Sequence, residues 1–384
     1  MSTPLGMQQV MEHFLPRYRQ QHQLSPQQAK VIGAIGACRT EALGGQYVQC
    51  DHCGFAQIRY HSCRDRHCPQ CQQQASQQWC EQQLQHVIPV DYFHVVFTLP
   101  HELNAWVQLH PEVLYRVLFH AVWLTLKAFG ADKKRLNGEL GMTAVLHSWG
   151  QNLCQHVHLH CLLPGGALSH DQAQWHRAKS TYLFPVKALS RVYRAKMLSG
   201  LRRAWQENQL SRVTREDRET RLTRLMGKPW VVYSKATLHR AQSVVNYLSR
   251  YTHRIAISNQ RLLSMDEQQV VFGWHDYRDG KHKSMALAGE EFVRRFLMHV
   301  LPKGLMRIRH YGFLANRCRQ QKLDRIRHCL AQPAPAVEPN PKAQAMGQLS
   351  TPVTSACRCP NCHHNTLRVC DEIEAKRMAR GTLN

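Results

Sequence analysis

The chain has 384 residues, and its 50 Lys and Arg residues outnumber its 26 Asp and Glu residues, which gives a formal net charge of +24. An excess of positive charge of this size favours an extended polyanion as the partner, and nucleic acid is the leading candidate. The sequence has no apolar run near the roughly 18 residues that a membrane span requires, and its start lacks the apolar core of a signal peptide. We therefore expect a cytosolic protein whose 15 cysteines stay reduced, as metal ligands or buried thiols.

The first 85 residues are predicted to combine helix with a small zinc-ribbon-like module. Apolar positions among many glutamines predict helix within residues 1–36. After it come two CxxC pairs separated by 14 residues, formed by Cys50, Cys53, Cys68 and Cys71. Four thiolates close a tetrahedral shell around a cation, so this spacing predicts a structural zinc site with no open position.

Two further cysteines of this module, Cys38 and Cys63, are not needed for that shell. They are either buried thiols or ligands of a second ion together with His52 or His67. Positively charged side chains lie between the ligands, namely Arg39, Arg64 and Arg66. Such knuckle tips are suited to gripping DNA, although an ordinary charged surface would have the same sequence.

A larger domain is predicted over residues 86–330. The run YFHVVFTLP at 92–100 is typical of a buried strand, and residues 103–129 have helical spacing. Residues 142–148 and 157–163 are predicted to be strands that pair as a hairpin. Residues 187–228 hold 12 Lys or Arg against 4 acidic residues, which predicts basic amphipathic helices that either contact DNA or form a solvated charged face.

The rest of the chain is predicted to add strands, one helix and a linker. The predicted order is strand 230–234, helix 239–253, strand 254–262 and strands 270–274 and 284–287. Residues 331–356 are rich in Pro, Ala and Gln, as flexible linkers are. The tail 357–384 holds a candidate second zinc site, with Cys359 and Cys362 as its CxxC pair and further ligands drawn from Cys357, His363, His364 and Cys370. A disordered tail with incidental cysteines is the alternative.

The string HVHLH at 156–160 is the strongest short indication of chemistry. In a strand, alternate side chains share a face, so His156, His158 and His160 point one way while Val157 and Leu159 point toward a core. Two neighbouring imidazoles on a rigid strand are suited to binding a metal ion. A chain with 25 histidines can also produce this pattern by chance.

A pair of tyrosines supplies a second element of that chemistry. Tyr247 and Tyr251 are four residues apart on a predicted helix and share one of its faces. A phenolate oxygen can attack a phosphodiester and conserve the bond energy in a phosphotyrosyl link. The phenol pKa of about 10 makes this attack slow unless charge is stabilised nearby, as a divalent ion on the phosphate does. A pair of core aromatics is the alternative.

Several long motifs in order resemble one family, the HUH-type rolling-circle transposases of the insertion-sequence-ninety-one group. The motifs are SCRDRHCPQC at 62–71, FTLPHEL at 97–103, HVHLHCLLPGG at 156–166, NYLSRYTHRIAISNQRL at 246–262, EFVRRFLMHVLPKG at 291–304 and IRHYGFLANR at 308–317. The resemblance covers most of the chain. It implies an α+β fold, with an HUH endonuclease-like antiparallel sheet and helices, besides the zinc-ribbon-like module and the candidate C-terminal zinc knuckle.

The resemblance also implies the roles of individual residues. Tyr247 and Tyr251 are the expected nucleophiles, and His158 and His160 the expected ligands of a catalytic Mg²⁺ or Mn²⁺ ion. A third ligand is open between His147 and His156, with Gln151 in the connecting loop as a weaker candidate. The expected DNA-contacting arginines are Arg64, Arg66, Arg250, Arg254, Arg307 and Arg309, with Arg294 and Arg295 beside them.

The expected substrate is single-stranded DNA at the ends of a mobile element, together with target DNA. One tyrosine would nick the strand and keep its 5′ phosphate. Two alternatives remain at this stage, namely a plasmid replication initiator or relaxase with the same chemistry, and a zinc-containing DNA-binding regulator without catalysis.

Overall fold

The computed structural model describes residues 5–71, 79, 81–178, 183–238, 255–276, 279–330 and 358–376. The helices with both ends described are α1 Met7–Gln21, α2 Pro26–Ala37, α3 Asn104–Leu109, α4 Pro111–Ala131, α5 Val186–Gln206, α6 Arg215–Met226, α7 Gly289–Met298 and α8 Arg319–Cys329. The strands are β1 Gly45–Cys50, β2 Ala56–Tyr60, β3 Tyr92–Thr98, β4 Gly138–Glu139, β5 Gly141–Trp149, β6 Gln155–Pro164, β7 Gly166–Ser169, β8 Trp175–Arg177, β9 Val232–Leu238, β10 Leu262–Met265, β11 Gln269–Asp276, β12 Lys281–Ala288, β13 Ile308–Gly312 and β14 Leu367–Ile373.

The largest sheet has five strands in the order β13-β5-β6-β3-β9, and every neighbouring pair is antiparallel. Strand β6 alternates as expected, because Val157, Leu159, Cys161 and Leu163 are fully buried in one core. Residues of α4 and α5 belong to the same core, so these helices cover that face. The expected α+β fold with an antiparallel sheet and helices is confirmed at this level.

The N-terminal helices pack against a second, smaller sheet. Strands β10, β11 and β12 form an antiparallel meander. Phe14 of α1 shares a core with Phe272 of β11 and Phe292 of α7. An ideal Cβ on Gly289 would lie 1.9 Å from the Phe14 ring, so α1 and α7 cross where only glycine fits.

The cysteine-rich module contains strands from both ends of the chain. Its sheet has the order β14-β1-β2, and β1 pairs with β14 from Gly45 opposite Ile373 to Cys50 opposite Leu367. Residues 358–376 therefore join the N-terminal module, which corrects the expectation of a separate C-terminal knuckle. Backbone pairing over six positions of β1 thus joins residues 45–50 to residues 367–373.

Two sequence-based predictions of secondary structure are wrong in detail. The helix predicted over 103–129 is two helices, because Pro111 has a fixed φ and no N–H and therefore begins a new helix, α4. The strand predicted over 254–262 is absent from the described residues 255–261. There the backbone bends around the Arg261 guanidinium, which donates to the carbonyls of Ala256 and Gly273.

One described helix, α4, is long and apolar enough to cross a membrane by length and composition. Its apolar side chains, among them Leu118, Val122 and Leu126, are fully buried in the main core. Its apolar character is accounted for by packing against the five-stranded sheet.

Candidate active site and metal centres

Three histidines converge on the face of the five-stranded sheet opposite α4 and α5. His147 of β5 lies directly across from His158 of β6 in the strand register. One ring nitrogen from each of His147, His158 and His160 lies within 4.8 Å of the others. His147 is buried, whereas His158 and His160 are half-buried. The group is therefore closed to solvent at His147 and accessible at His158 and His160.

The hydrogen bonds of these rings fix which nitrogens face each other. His158 Nδ1 lies 2.8 Å from the His156 carbonyl oxygen, which only accepts, so Nδ1 carries the proton and Nε2 carries the lone pair that can bind a cation. The Nε2 atoms of His158 and His160 are 3.0 Å apart. Adjacent nitrogens of an octahedral ion with bonds of about 2.1 Å would be separated by about 3.0 Å. The pair is thus spaced as two ligands of one metal ion.

A fourth histidine, which the sequence analysis did not single out, forms a hydrogen bond with one member of the group. His94 of β3 places its Nε2 atom 2.9 Å from His160 Nδ1. Burial lowers the pKa of His94 to about 4, so its ring is neutral at physiological pH. When His94 Nε2 accepts from His160 Nδ1–H, the His160 Nε2 lone pair points toward the cluster. The sequence signal was a lone polar residue within the buried run YFHVVFT.

Of the candidates for a third ligand, the structure brings only His147 into the group. His156 is exposed, and its ring centroid lies 4.9 Å from that of His158 without joining the converging nitrogens. Gln151 lies in the β5–β6 turn, where its carbonyl accepts from Arg261. The His147 ring stacks on Trp149 with centroids 4.8 Å apart, and this contact fixes its orientation.

The two candidate nucleophiles, Tyr247 and Tyr251, lie outside the described residues, as do Arg250 and Arg254. The chain that follows them is described from Ile255 onward. Ile255 and Ala256 line a small cavity with Trp149 and Arg307. Trp149, which stacks on His147, thus borders the same cavity as the first described residues after the tyrosines.

The remaining predicted DNA contacts differ in their surroundings. Arg64 is exposed, as a DNA contact requires, and so is Arg39. Arg66 is not, because its guanidinium donates to the carbonyls of Leu305 at 2.5 Å and Pro302 at 2.8 Å. These bonds join the cysteine loop to residues 302–305, and desolvation lowers the pKa of Arg66; its contact with DNA stays a prediction.

Four further arginines predicted to contact DNA lie between residues 294 and 309. Arg307 lies 6.0 Å from the Trp149 ring centroid, near the histidines, and burial lowers its pKa to about 10, so it stays charged at neutral pH. Arg309 lies 4.1 Å from the Phe119 ring of α4, on the opposite face of the sheet. Arg294 and Arg295 both pair with Glu291. Of these four, Arg307 is the one that contacts Trp149, whose ring stacks on His147.

The predicted grouping of cysteines differs from the one in the structure. Cys68 and Cys71 group with Cys38 and Cys63, not with Cys50 and Cys53. The Sγ atom of Cys71 lies 3.6 Å from the Sγ atoms of both Cys38 and Cys63. Tetrahedral zinc with Zn–S bonds of about 2.3 Å separates its sulfurs by about 3.8 Å, whereas a disulfide requires about 2.05 Å. Four thiols in this arrangement form a closed shell suited to structural zinc.

A histidine beside the group of Cys38, Cys63, Cys68 and Cys71 joins the cysteine loop to Leu301. His67 Nδ1 lies 3.0 Å from Asp65 Oδ1, and His67 Nε2 accepts from the Leu301 amide at 3.1 Å. Both ring nitrogens are therefore engaged, and His67 is not among the residues grouped as metal ligands. Together with Arg66 it fastens the cysteine loop to residues 301–305.

Cys50 and Cys53 face the C-terminal cysteines Cys359 and Cys362. Cys370 lies on β14 outside this group, and His363 is likewise not a member. Cys357 lies outside the described residues. The prediction from spacing paired the wrong CxxC motifs, because spacing gives no information about a partner as distant in sequence as Cys359 is from Cys53, 306 residues away.

Comparison with known proteins agrees with these features. Residues 141–322 match the family model described as a putative transposase, and residues 10–99 match the transposase zinc-binding domain of the IS91 group. The putative transposase y4qJ of Sinorhizobium fredii is 43% identical over 93% of this chain and 93% of its own length. The transposase for insertion sequence element IS801 of Pseudomonas savastanoi pv. phaseolicola is 27% identical over 82% of this chain and 76% of its own length. No solved structure matches the chain. The chain belongs to the IS91 family of transposases and carries that family's zinc-binding domain.

Proposed function

We propose that this transposase nicks and rejoins single-stranded DNA at the ends of an insertion sequence by HUH-type chemistry, acting on DNA in the cytosol. In this proposal Tyr247 or Tyr251 is the nucleophile, and His147, His158 and His160 hold a divalent ion. The observation that supports it most directly is the convergence of the three imidazoles on an accessible edge of β6, with the Nε2 atoms of His158 and His160 3.0 Å apart.

The bond changes are those of an in-line displacement. The phenolic oxygen of one tyrosine attacks the scissile phosphorus and loses its proton to solvent, while the bond from phosphorus to the 3′ oxygen breaks and that oxygen takes up a proton. The products are a 5′-phosphotyrosyl link and a free 3′ hydroxyl. A second attack, by the other tyrosine or by a 3′ hydroxyl, rejoins DNA without ATP.

A bound divalent ion would polarise the scissile phosphate and stabilise the charge that develops on it. The residues of the chain prepare the site for that ion. The His156 carbonyl and His94 fix the tautomers of His158 and His160, and Trp149 fixes the ring of His147. Arg307 adds a fixed positive charge beside the group for a neighbouring phosphate.

The donor set favours manganese over magnesium. All three members of the group are imidazoles, and among the described residues no carboxylate joins them. Mg²⁺ prefers oxygen ligands, while Mn²⁺ accepts imidazole more readily. We therefore expect nicking at lower concentrations of Mn²⁺ than of Mg²⁺.

The sheet supports the HUH assignment through the position of the histidines. His158 and His160 stand on β6, which has paired neighbours on both sides within an antiparallel five-stranded sheet. The apolar residues that alternate with them, Val157, Leu159 and Cys161, anchor β6 in the core. A strand fixed in this way holds ligand geometry better than a loop would.

An oligonucleotide assay tests the proposal. Single-stranded DNA from the element's own ends should be cut in Mn²⁺, with its downstream part linked to protein, and EDTA should stop cutting. Tyr247→Phe/Tyr251→Phe and His158→Ala/His160→Ala should each lower the rate at least about 100-fold, with zinc content unchanged. Wild-type cutting by the tyrosine variant would exclude these nucleophiles, and wild-type cutting by the histidine variant would exclude this metal site. A chain that binds the DNA without cutting it would be a regulator.

A further inference from the structure

The CxxC pairs at the two ends of the chain have the same local geometry. In the first, the amide of Cys50 donates to the carbonyl of Phe55 at 2.8 Å, and the amide of Gly54 donates back to the carbonyl of Cys50 at 2.9 Å. In the second, the amide of Cys359 donates to the carbonyl of His364 at 2.8 Å, and the amide of His363 to the carbonyl of Cys359 at 3.0 Å. Both segments are therefore the same kind of tight turn, with two thiols at its tip.

The backbone of each turn passes through the left-handed region immediately after its second cysteine. Gly54 has φ of +71° and His363 has φ of +62°. Glycine adopts this conformation freely, whereas histidine adopts it at a cost, because its Cβ is crowded there. The fold holds His363 in that conformation, and the result is that the second turn matches the first.

The sulfurs of the two turns face each other. Cys50 Sγ is 3.6 Å from Cys362 Sγ, and Cys53 Sγ is 3.7 Å from Cys359 Sγ. These separations match a tetrahedral zinc–thiolate shell, with sulfurs about 3.8 Å apart. They are too long for disulfide bonds.

Neighbouring side chains are arranged to stabilise charged sulfur and to join the two turns. Thr366 Oγ1 lies 3.1 Å from Cys50 Sγ, and Asn361 Nδ2 lies 3.5 Å from Cys53 Sγ. The rings of His52 and His364 stack with centroids 3.9 Å apart. Each of these contacts joins an N-terminal residue to a C-terminal one.

From this geometry we infer that Cys50, Cys53, Cys359 and Cys362 form a second, closed zinc site that fastens the C-terminal segment 358–376 to the N-terminal module. The site lies partly outside residues 10–99, the range that the zinc-binding family model matches. It is separate from the group of Cys38, Cys63, Cys68 and Cys71, so the described residues provide two structural zinc sites. The inference does not depend on the proposed nicking chemistry.

A cleavable chain tests the fastening. A protease recognition sequence inserted between Pro341 and Lys342 lets the zinc-loaded full-length protein be cut after it has folded. The C-terminal fragment should co-elute with the rest of the chain in gel filtration and should dissociate when a thiol-reactive mercurial removes zinc. Cys359→Ser/Cys362→Ser should release the fragment without that treatment, whereas Cys370→Ser, in the exposed cysteine outside the group, should retain it. A fragment that separates while zinc is present, or stays after zinc is removed, overturns the inference.

Cobalt substitution counts the thiolate sites independently of association. The wild-type chain should bind two equivalents of Co²⁺ that show sulfur-to-metal charge-transfer absorption, and Cys359→Ser/Cys362→Ser should bind one. Cys38→Ser/Cys71→Ser should also bind one, since it removes the other site. His158→Ala/His160→Ala should still bind two, because imidazoles give no such absorption. A wild-type stoichiometry of one, or two equivalents in Cys359→Ser/Cys362→Ser, contradicts the second site.

Discussion

At the scale of single residues, the histidine group is specified by contacts that are absent from the HxH pattern itself. His158 and His160 follow from alternation along β6. His147 joins them only because β5 pairs with β6 in a register that sets His147 opposite His158. His94 joins because β3 pairs on the other side of β6. Each partner is thus contributed by a different strand.

A matched pair of substitutions, at His147 and at His156, tests which histidine is the proposed third ligand. His147→Ala should reduce nicking by at least about 100-fold at limiting Mn²⁺, since it removes a donor from the shell. His156→Ala should leave the rate within about threefold of wild type, because the hydrogen bond that His156 accepts from His158 is made by the backbone carbonyl. Initial rates over a Mn²⁺ titration provide the measurement. Equal losses in the two variants would argue against His147 as the ligand.

A buried histidine outside the proposed metal shell should make stability depend on pH. His299 is bonded to the Leu153 carbonyl, and burial lowers its pKa to about 4 from a usual value near 6.5. Between these values the unfolded chain binds a proton that the folded chain does not, so stability falls as pH drops from about 6.5 to about 4. The slope per such group is about 1.4 kcal/mol per pH unit.

Urea unfolding across that pH range measures this contribution. His299→Gln should lose about one proton of linkage relative to wild type, whatever the other titrating groups contribute to both curves. His170→Gln, at an exposed position, serves as the control for replacing a histidine by glutamine. An unchanged slope in His299→Gln would mean that this ring is not held neutral by burial.

At the scale of elements, most strand and helix predictions are confirmed where local pattern and tertiary packing agree. The alternation in residues 157–163 becomes β6, and the apolar run at 92–100 becomes β3. Strand β13, the fifth strand of the main sheet, was not predicted, because IRHYG is short and half-polar and is ordered by pairing with β5. The division of the cysteines failed for a related reason. CDHCGF and CPNCHH each lead into a strand of the same sheet, β2 and β14, whereas a run of glutamines follows CPQC in the sequence, and this difference was the available signal.

Two glycines in different helical surroundings test the packing of α1 on α7. Gly289→Ala should lower the free energy of unfolding by about 1–3 kcal/mol or more, because its Cβ would collide with the buried Phe14 ring. Gly33→Ala, inside α2 with nothing within 4 Å of the added Cβ, should raise it by up to about 1 kcal/mol. Unfolding midpoints of the two variants decide between packing and helix propensity. Stabilisation by both would contradict the close helix crossing.

At the scale of the whole molecule, basic residues serve two different purposes. Several arginines of α5 and α6 form ion pairs, such as Arg203 with Glu207 and Arg221 with Asp217, so part of the predicted basic helical face is neutralised within the fold. Others, such as Arg64, remain exposed. A formal charge of +24 therefore predicts strongly salt-dependent DNA binding without identifying the contacts.

Substitutions of Arg64 and Arg66 distinguish a role in DNA binding from a role in holding the fold together. Arg64→Ala should leave the thermal midpoint unchanged and reduce the slope of log affinity against log salt by about one phosphate contact. Arg66→Ala should lower the midpoint instead, since two carbonyls of the 301–305 segment lose their donor. DNA-binding isotherms at several salt concentrations, with melting curves of the same proteins, make the comparison. The reverse assignment of effects would show that Arg66 faces the DNA.

The covalent bond that we propose forms during cutting can be mapped directly. Wild-type protein incubated with Mn²⁺ and single-stranded DNA from the element's ends, then digested and analysed by mass spectrometry, should yield a peptide carrying a 5′-phosphonucleotide on Tyr247 or Tyr251. The same peptide should be unmodified in His158→Ala/His160→Ala. Cut DNA with a free 5′ phosphate and no protein adduct, or an adduct on any other residue, would contradict the account.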